Sequence, residues 1–304
     1  MSHSRPRNPH LFPESSYVAS LDAWAANLQT AGTYLEAKSC TIEHVVHYKA
    51  SSDMEHEYLV VHARHSSGAL VVLGVDRNAE EHMDQATSSR YITNAISLFS
   101  GRGRSSDEDR GVVAFDGVEV SHDGTAEPIT SRHGPSIELN TLSFSSRSDS
   151  GSRTAPTLHN LTVLLLVIRS HFPAYMLLRH QCYFFARATL LSLSTIFPSR
   201  QTPHPENYAL QGTWRGAHVS LFAAGKTAIQ NMLLLPLIEF PVLLVPAGLF
   251  ALYTTVSLYD GHTVTGPRDR LEISDEKIRE FDIPGRYREA WDRYTWAMGE
   301  RTSG

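Results

Sequence analysis

Residues 56–75, HEYLVVHARHSSGALVVLGV, decide the fold class. His56–His62 and Ala69–Val75 are rich in β-branched and aromatic side chains, and Arg64–Gly68 between them is a turn-forming stretch. Two such runs around a Ser-Ser-Gly turn predict a β-hairpin. Strand alternation places His56, Tyr58, Val60 and His62 on one face. Folding about Ser66-Ser67 sets His56 opposite Val75–Arg77, which brings Asp76 within reach of that histidine. Gly111–Val120 (GVVAFDGVEV) predicts a third strand or a tight pair of strands, with Asp116-Gly117 as the turn signal.

Working outward, residues 1–16 are expected to be a disordered arm, and 17–142 an N-terminal β-rich part. Within the latter, Ser20 is placed to cap a short helix whose Leu21, Trp24 and Leu28 share one stripe. Residues 100–110 (SGRGRSSDEDR) carry no apolar side chain and predict a mobile loop. Residues 143–156 form a Ser-rich linker. Beyond it, 157–228 is expected to be helical, with buried helices over Leu158–His171 and Tyr175–Phe197. Residues 229–258 are strongly apolar, and 259–304 form an amphipathic tail. In that tail Asp282 caps a helix from Pro284 whose stripe is Tyr287, Trp291, Tyr294 and Met298. The sum is an α+β fold, an antiparallel sheet packed against helices, with a C-terminal hydrophobic helical segment.

The chain has 304 residues, of which 41% are hydrophobic and 19% charged, enough apolar material for a core. A net charge of −5 gives no basic nucleic-acid footprint, so no nucleic-acid partner is expected. Two cysteines exclude a disulfide-rich scaffold and a four-cysteine zinc ribbon. The first fifteen residues contain no apolar run of the kind a secretory signal needs. Cys40 and Cys182 are therefore expected to be free thiols in a protein that is membrane-associated or cytoplasmic and not secreted.

Asn231–Leu258 spans 28 residues with a single charge, Glu239. A membrane helix needs about 20 apolar residues, so the run is long enough. Pro236, Pro241 and Pro246 each remove a helical hydrogen bond, and Glu239 at the bilayer centre would cost about 2.5–3.5 kcal/mol. Both a membrane segment and a proline-kinked buried core pair fit this sequence.

Five histidines, His44, His47, His56, His62 and His65, fall within 22 residues. The i, i+3 pairs point to opposite faces of a strand, so neither makes a strand-borne chelate, and no metal or cofactor is expected. Gly225-Lys226-Thr227 resembles the end of a phosphate loop, but Ser220 stands where that loop needs glycine. Cys182 is the remaining candidate, early in a predicted helix. A cysteine at a helix N-terminus gains thiolate character, and a thiolate nucleophile needs a neighbouring base. His56 on the sheet, oriented by Asp76, would supply it and make a Cys182–His56–Asp76 triad. Cys182 also shares an apolar stripe with Leu178 and Phe185, so a structural role fits if the helix begins before Tyr175.

A strand opened by histidine (EHEYLVVHA), a hairpin, further strands and then a helix carrying Gln181-Cys182-Tyr183-Phe184-Phe185-Ala186 resembles the circularly permuted papain-like thiol enzymes. The lecithin:retinol acyltransferase-like and NlpC-type families are of this kind, with the catalytic histidine before the cysteine. The resemblance implies Cys182 as nucleophile, His56 as general base and the Cys182 amide as part of an oxyanion hole. It also implies a membrane anchor after the cysteine, which residues 231–258 would match. Gln181 stands where the acyltransferases have asparagine, and Ala69–Val75 lacks their second histidine. In general look the chain is also similar to proteins of mushroom-forming fungi, which implies no chemistry. Two functions follow as expectations. One is a membrane-associated or protein-docking module without catalysis, binding lipid or a protein through the Trp291/Tyr294 stripe. The other is a thiol-dependent acyltransferase or hydrolase using Cys182 and His56.

Overall fold

The structure, a computed structural model, describes residues 8–51, 56–79, 112–145, 155–175, 182–211, 213–214, 217–218 and 275–302. The expected loop at 100–110 and the apolar run at 231–258 lie outside the described residues. The described elements run β1 (Tyr17–Ser20), α1 (Leu21–Leu28), α2 (Ala31–Lys38), β2 (Cys40–Ala50), β3 (Glu57–His65), β4 (Leu70–Ala79), β5 (Val112–Val120) and α3 (Glu127–His133). They continue with β6 (Ser136–Phe144), α4 (Leu158–His171), β7 (Ala174–Tyr175), α5 (Cys182–Ile196), β8 (Ser199–Pro203), α6 (Asp275–Glu280) and α7 (Ile283–Thr302). These belong to one compact unit. A second unit, residues 82–109 and 212–272, has only a short antiparallel pair described, β9 (Thr213–Trp214) with β10 (Ala217–His218).

The fold is α+β. An antiparallel sheet in the order β1-β5-β4-β3-β2-β6-β8 carries helices on its faces, with β7 paired to the start of β5. The hairpin β3–β4 forms as the sequence predicts, in a register running from Arg64↔Leu70 to Leu59↔Val75. One face of the sheet is the main core. Ile42, Val45, Leu59, Val61, Leu73, Val75, Val118 and Val120 meet Leu161, Leu164 and Ile168 of α4 and Phe184 and Phe185 of α5. The opposite face holds a smaller cluster of Tyr58, Val60 and Val72, closed by Ile129 of α3. Gly74 lets α3 approach this closely, because a Cβ there would lie 2.7 Å from Ile129 Cγ2.

Local signals set the helix starts. Ser20 Oγ accepts from the Ala23 amide as the N-cap of α1. Thr157 and Asn160 form a reciprocal capping box at α4. Asp282 Oδ1 accepts from the Gly285 amide at the start of α7, as its sequence position implies.

Four expectations need correction. The arm is packed from Asn8 onward: Leu11 and Phe12 are buried, and Asn8 Nδ2 donates to Thr33 Oγ1 at 3.1 Å. Asp116-Gly117 is no turn but lies inside β5, because Asp116 is committed to a buried partner, Arg77. Ala174–Tyr175 is a strand, and the following described helix is Cys182–Ile196 and does not reach back to Tyr175. The Tyr287, Trp291, Tyr294, Met298 stripe of α7 packs inward: Tyr287 and Met298 are buried, and the Tyr294 hydroxyl hydrogen-bonds His159 Nδ1 at 2.7 Å. The exposed aromatic of this helix is Trp296. Among the described residues no helix is long and apolar enough to cross a membrane.

Candidate active site

Helix α5 packs on β3 and β4, with Phe184, Phe185, Ala186 and Ala188 in the core. Its first described residue is Cys182. His56 stands one residue before β3. The thiol lies near enough to this imidazole to raise its pKa. Asp76 reaches the same imidazole from β4: its Oδ2 lies 3.4 Å from His56 Nε2. The structure thus brings together the three residues singled out from sequence, Cys182, His56 and Asp76.

The Nε2–Asp76 contact is loose and poorly aligned for a hydrogen bond, a common condition of resting sites whose bonds tighten around substrate. Burial alone would lower the His56 imidazole, but the neighbouring Cys182 and Asp76 outweigh it and raise the imidazole to about 10. Burial likewise pushes Asp76 up, yet His56, His133 and the Asn78 amide together hold it below the usual carboxylate range. Asn78 Nδ2 donates to Asp76 Oδ2 at 2.7 Å. Gly117 makes room for this carboxylate, since a Cβ there would lie 2.7 Å from Asp76 Oδ1. That steric need, and not a turn, is why glycine follows Asp116.

The two cysteines have different surroundings. Cys40 is fully buried in the core, and burial together with the charge of Glu36 pushes its thiol up to about 12. Such a thiol is inert. Cys182 is also buried, at 6% exposure, but its neighbours include a basic nitrogen.

Beneath the site the main-core face carries buried charge. Arg77 and Asp116 form a bidentate pair, Nε–Oδ1 2.6 Å and Nη2–Oδ2 2.8 Å. Arg77 Nη1 donates to the Phe172 carbonyl at 2.8 Å, and the guanidinium lies 4.7 Å from the centre of the Phe185 ring. Glu57 takes His47 Nε2 at 2.9 Å and Lys49 Nζ at 3.7 Å, and Lys49 lies over Tyr183. Arg77 therefore ties β4 and β5 to the first turn of α5, and Lys49 ties β2 to the residue after Cys182.

His133, at the end of α3, was not apparent from the sequence. Its ring stacks on Tyr58 with centroids 4.0 Å apart and stands 5.4 Å from that of His56. Burial, with smaller repulsion from His56 and Arg132 and an opposing pull from Asp76, lowers it to about 4 and keeps it neutral. The other histidines disperse. His44 and His62 stack across β2 and β3 with rings 4.2 Å apart, while His47 turns to the opposite face, as strand geometry requires. His65 caps its own turn through Ser67. His62 is therefore remote in role from the thiol.

No family model matches the chain, and neither the curated proteins nor the solved structures contain a match.

Proposed function

We propose that the protein is a thiol-dependent acyl-transfer or hydrolytic enzyme in which Cys182 is the nucleophile, His56 the general base and Asp76 the group that orients it. The observation that carries this reading is His56 Nε2 standing 3.4 Å from the Asp76 carboxylate, with Cys182 near enough to shift the same imidazole. Three residues from α5, the approach to β3, and β4 meet there, and such a constellation is recognised by geometry and roles and not by sequence order.

The chemistry follows from the placement. His56, its imidazole raised to about 10, holds the proton given up by the thiol while the sulfur attacks the acyl carbon. The carbonyl π pair moves to oxygen, where the Cys182 amide at the head of α5 can donate. Collapse of the tetrahedral intermediate expels the leaving group, which takes the proton back from His56 and leaves a thioester on Cys182. Water or an acceptor hydroxyl or amine then attacks the thioester, with His56 as base, and the thiol is regenerated. Asp76 stabilises the imidazolium in both half-reactions. A general base is worth about 10²–10⁴-fold in rate.

Association with lipid, and a lipid acyl donor, belong to this proposal through residues 231–258 alone. Carbonate extraction of the expressed protein checks it: retention in the membrane pellet supports it, and release rejects a spanning segment. The chemistry itself is tested with an acyloxymethyl ketone probe on the full chain. Native protein and a Cys40→Ala variant should label; Cys182→Ala should not, and His56→Ala should label at least about 100-fold more slowly. Equal labelling of native and His56→Ala protein would refute it.

A further inference from the structure

His56, Asp76 and His133 each offer one donor atom, and these lie within 4.8 Å of one another with all three side chains half-buried. A tetrahedral zinc ion with bonds of about 2.0–2.2 Å needs neighbouring donors about 3.4 Å apart. The His56–Asp76 separation, 3.4 Å, already meets that spacing. The third donor needs to close by roughly 1.4 Å, a movement open to a side chain on the last residue of a short helix. Two imidazole nitrogens and one carboxylate oxygen form a borderline donor set that suits zinc and its neighbours, not calcium or magnesium. The fourth position is left for water.

We propose that His56, Asp76 and His133 bind a zinc-class divalent transition ion, and that the bound ion holds Cys182 inactive. The ion takes the lone pair of His56 Nε2 and engages Asp76; any proton on Nε2 passes to solvent. The imidazole then keeps its remaining proton on Nδ1 and has no lone pair with which to accept the thiol proton. No redox change is involved. Sulfur is not a ligand, because the converging donor atoms are those of His56, Asp76 and His133, without Cys182. The inactivation rests on the thiol chemistry proposed above, whereas the binding of the ion does not.

The test uses the full chain, freed of metal, titrated with Zn²⁺ against a chromogenic chelator. Native protein and Cys182→Ala should bind with equal affinity. His133→Ala, its closer mimic His133→Gln, and Asp76→Asn should each bind at least about tenfold more weakly, since even outer partners of metal ligands are worth that much. Failure of the native chain to bind, or equal binding by both folded His133 variants, overturns the site. In parallel, Zn²⁺ should slow labelling of Cys182 at least about tenfold in native protein, relative to its own zinc-free rate, and leave His133→Gln unprotected. Binding without protection overturns the inactivation. Absence of labelling even without zinc refutes the thiol chemistry instead, and leaves the zinc titration readable.

Discussion

Replacing Asp116 by alanine strands a guanidinium in the core. Arg77 is 0% exposed and Asp116 2%, so the substitution removes two charge-assisted hydrogen bonds of 2.6 and 2.8 Å and admits no compensating solvent. What remains to Arg77 is one bond to the Phe172 carbonyl and the face of Phe185. Breaking one side of a buried pair costs about 3–5 kcal/mol, because the partner charge is left uncompensated. Against a total of about 5–15 kcal/mol, that is a large share of the fold's stability. With a urea slope of about 2–3 kcal/mol per molar, the unfolding midpoint should fall by roughly 1–2 M, followed by circular dichroism. The double variant Arg77→Met/Asp116→Leu should recover most of the loss, since well-packed apolar residues often replace a buried pair at no cost. A loss below about 1 kcal/mol in Asp116→Ala would refute the reasoning. So would a double variant as unstable as the single one, which would assign the cost to packing and not to the orphaned charge.

Further expectations concern the site and its supports. Gly117→Ala places a methyl 2.7 Å from Asp76 Oδ1, so the carboxylate must move; labelling of Cys182 should slow on the order of 10–100-fold, while urea denaturation shows a loss of about 1–3 kcal/mol. Thr157→Ala opens the capping box of α4 and should cost about 1 kcal/mol by the same denaturation assay. Burial first, then the charge of His44, lower His62 to about 4, below the 6.5 of an unfolded chain. The unfolded state thus binds the extra proton between those values, so stability should fall as pH drops from about 6.5 to 4. His62→Gln should flatten that part of the stability profile, and an unchanged slope would show that His62 is already charged in the native state.

Much of the frame was legible in the chain because local physics determines it. The β3–β4 hairpin follows from a turn between two β-rich runs, and α1 and α7 from a capping side chain ahead of an apolar stripe. The nearness of Asp76 to His56 was legible too, since alternation and hairpin register bring the two together. The failures are tertiary. Asp116-Gly117 has turn chemistry, but a buried arginine and the Asp76 carboxylate claim both positions for a strand. The apolar side chains of 175–178 continue the character of α5, yet Ala174–Tyr175 pairs with Val112–Val113, the start of β5 that neither β1 nor β4 covers. His133 gives no sequence signal, since it reaches the site only because Gly74 lets α3 dock on the sheet. The Trp291/Tyr294 stripe suits a docking face, but an apolar stripe states only that something covers it, and here α4 and its His159 do.

The most direct test of the triad is to catch the acyl group on the sulfur. Native protein mixed with a nitrophenyl ester and quenched in acid should gain one acyl mass, mapped to Cys182 and released by hydroxylamine. His56→Ala should gain it at least about 100-fold more slowly. Acylation of Cys40, or of Cys182 at the same rate with and without His56, would contradict the account.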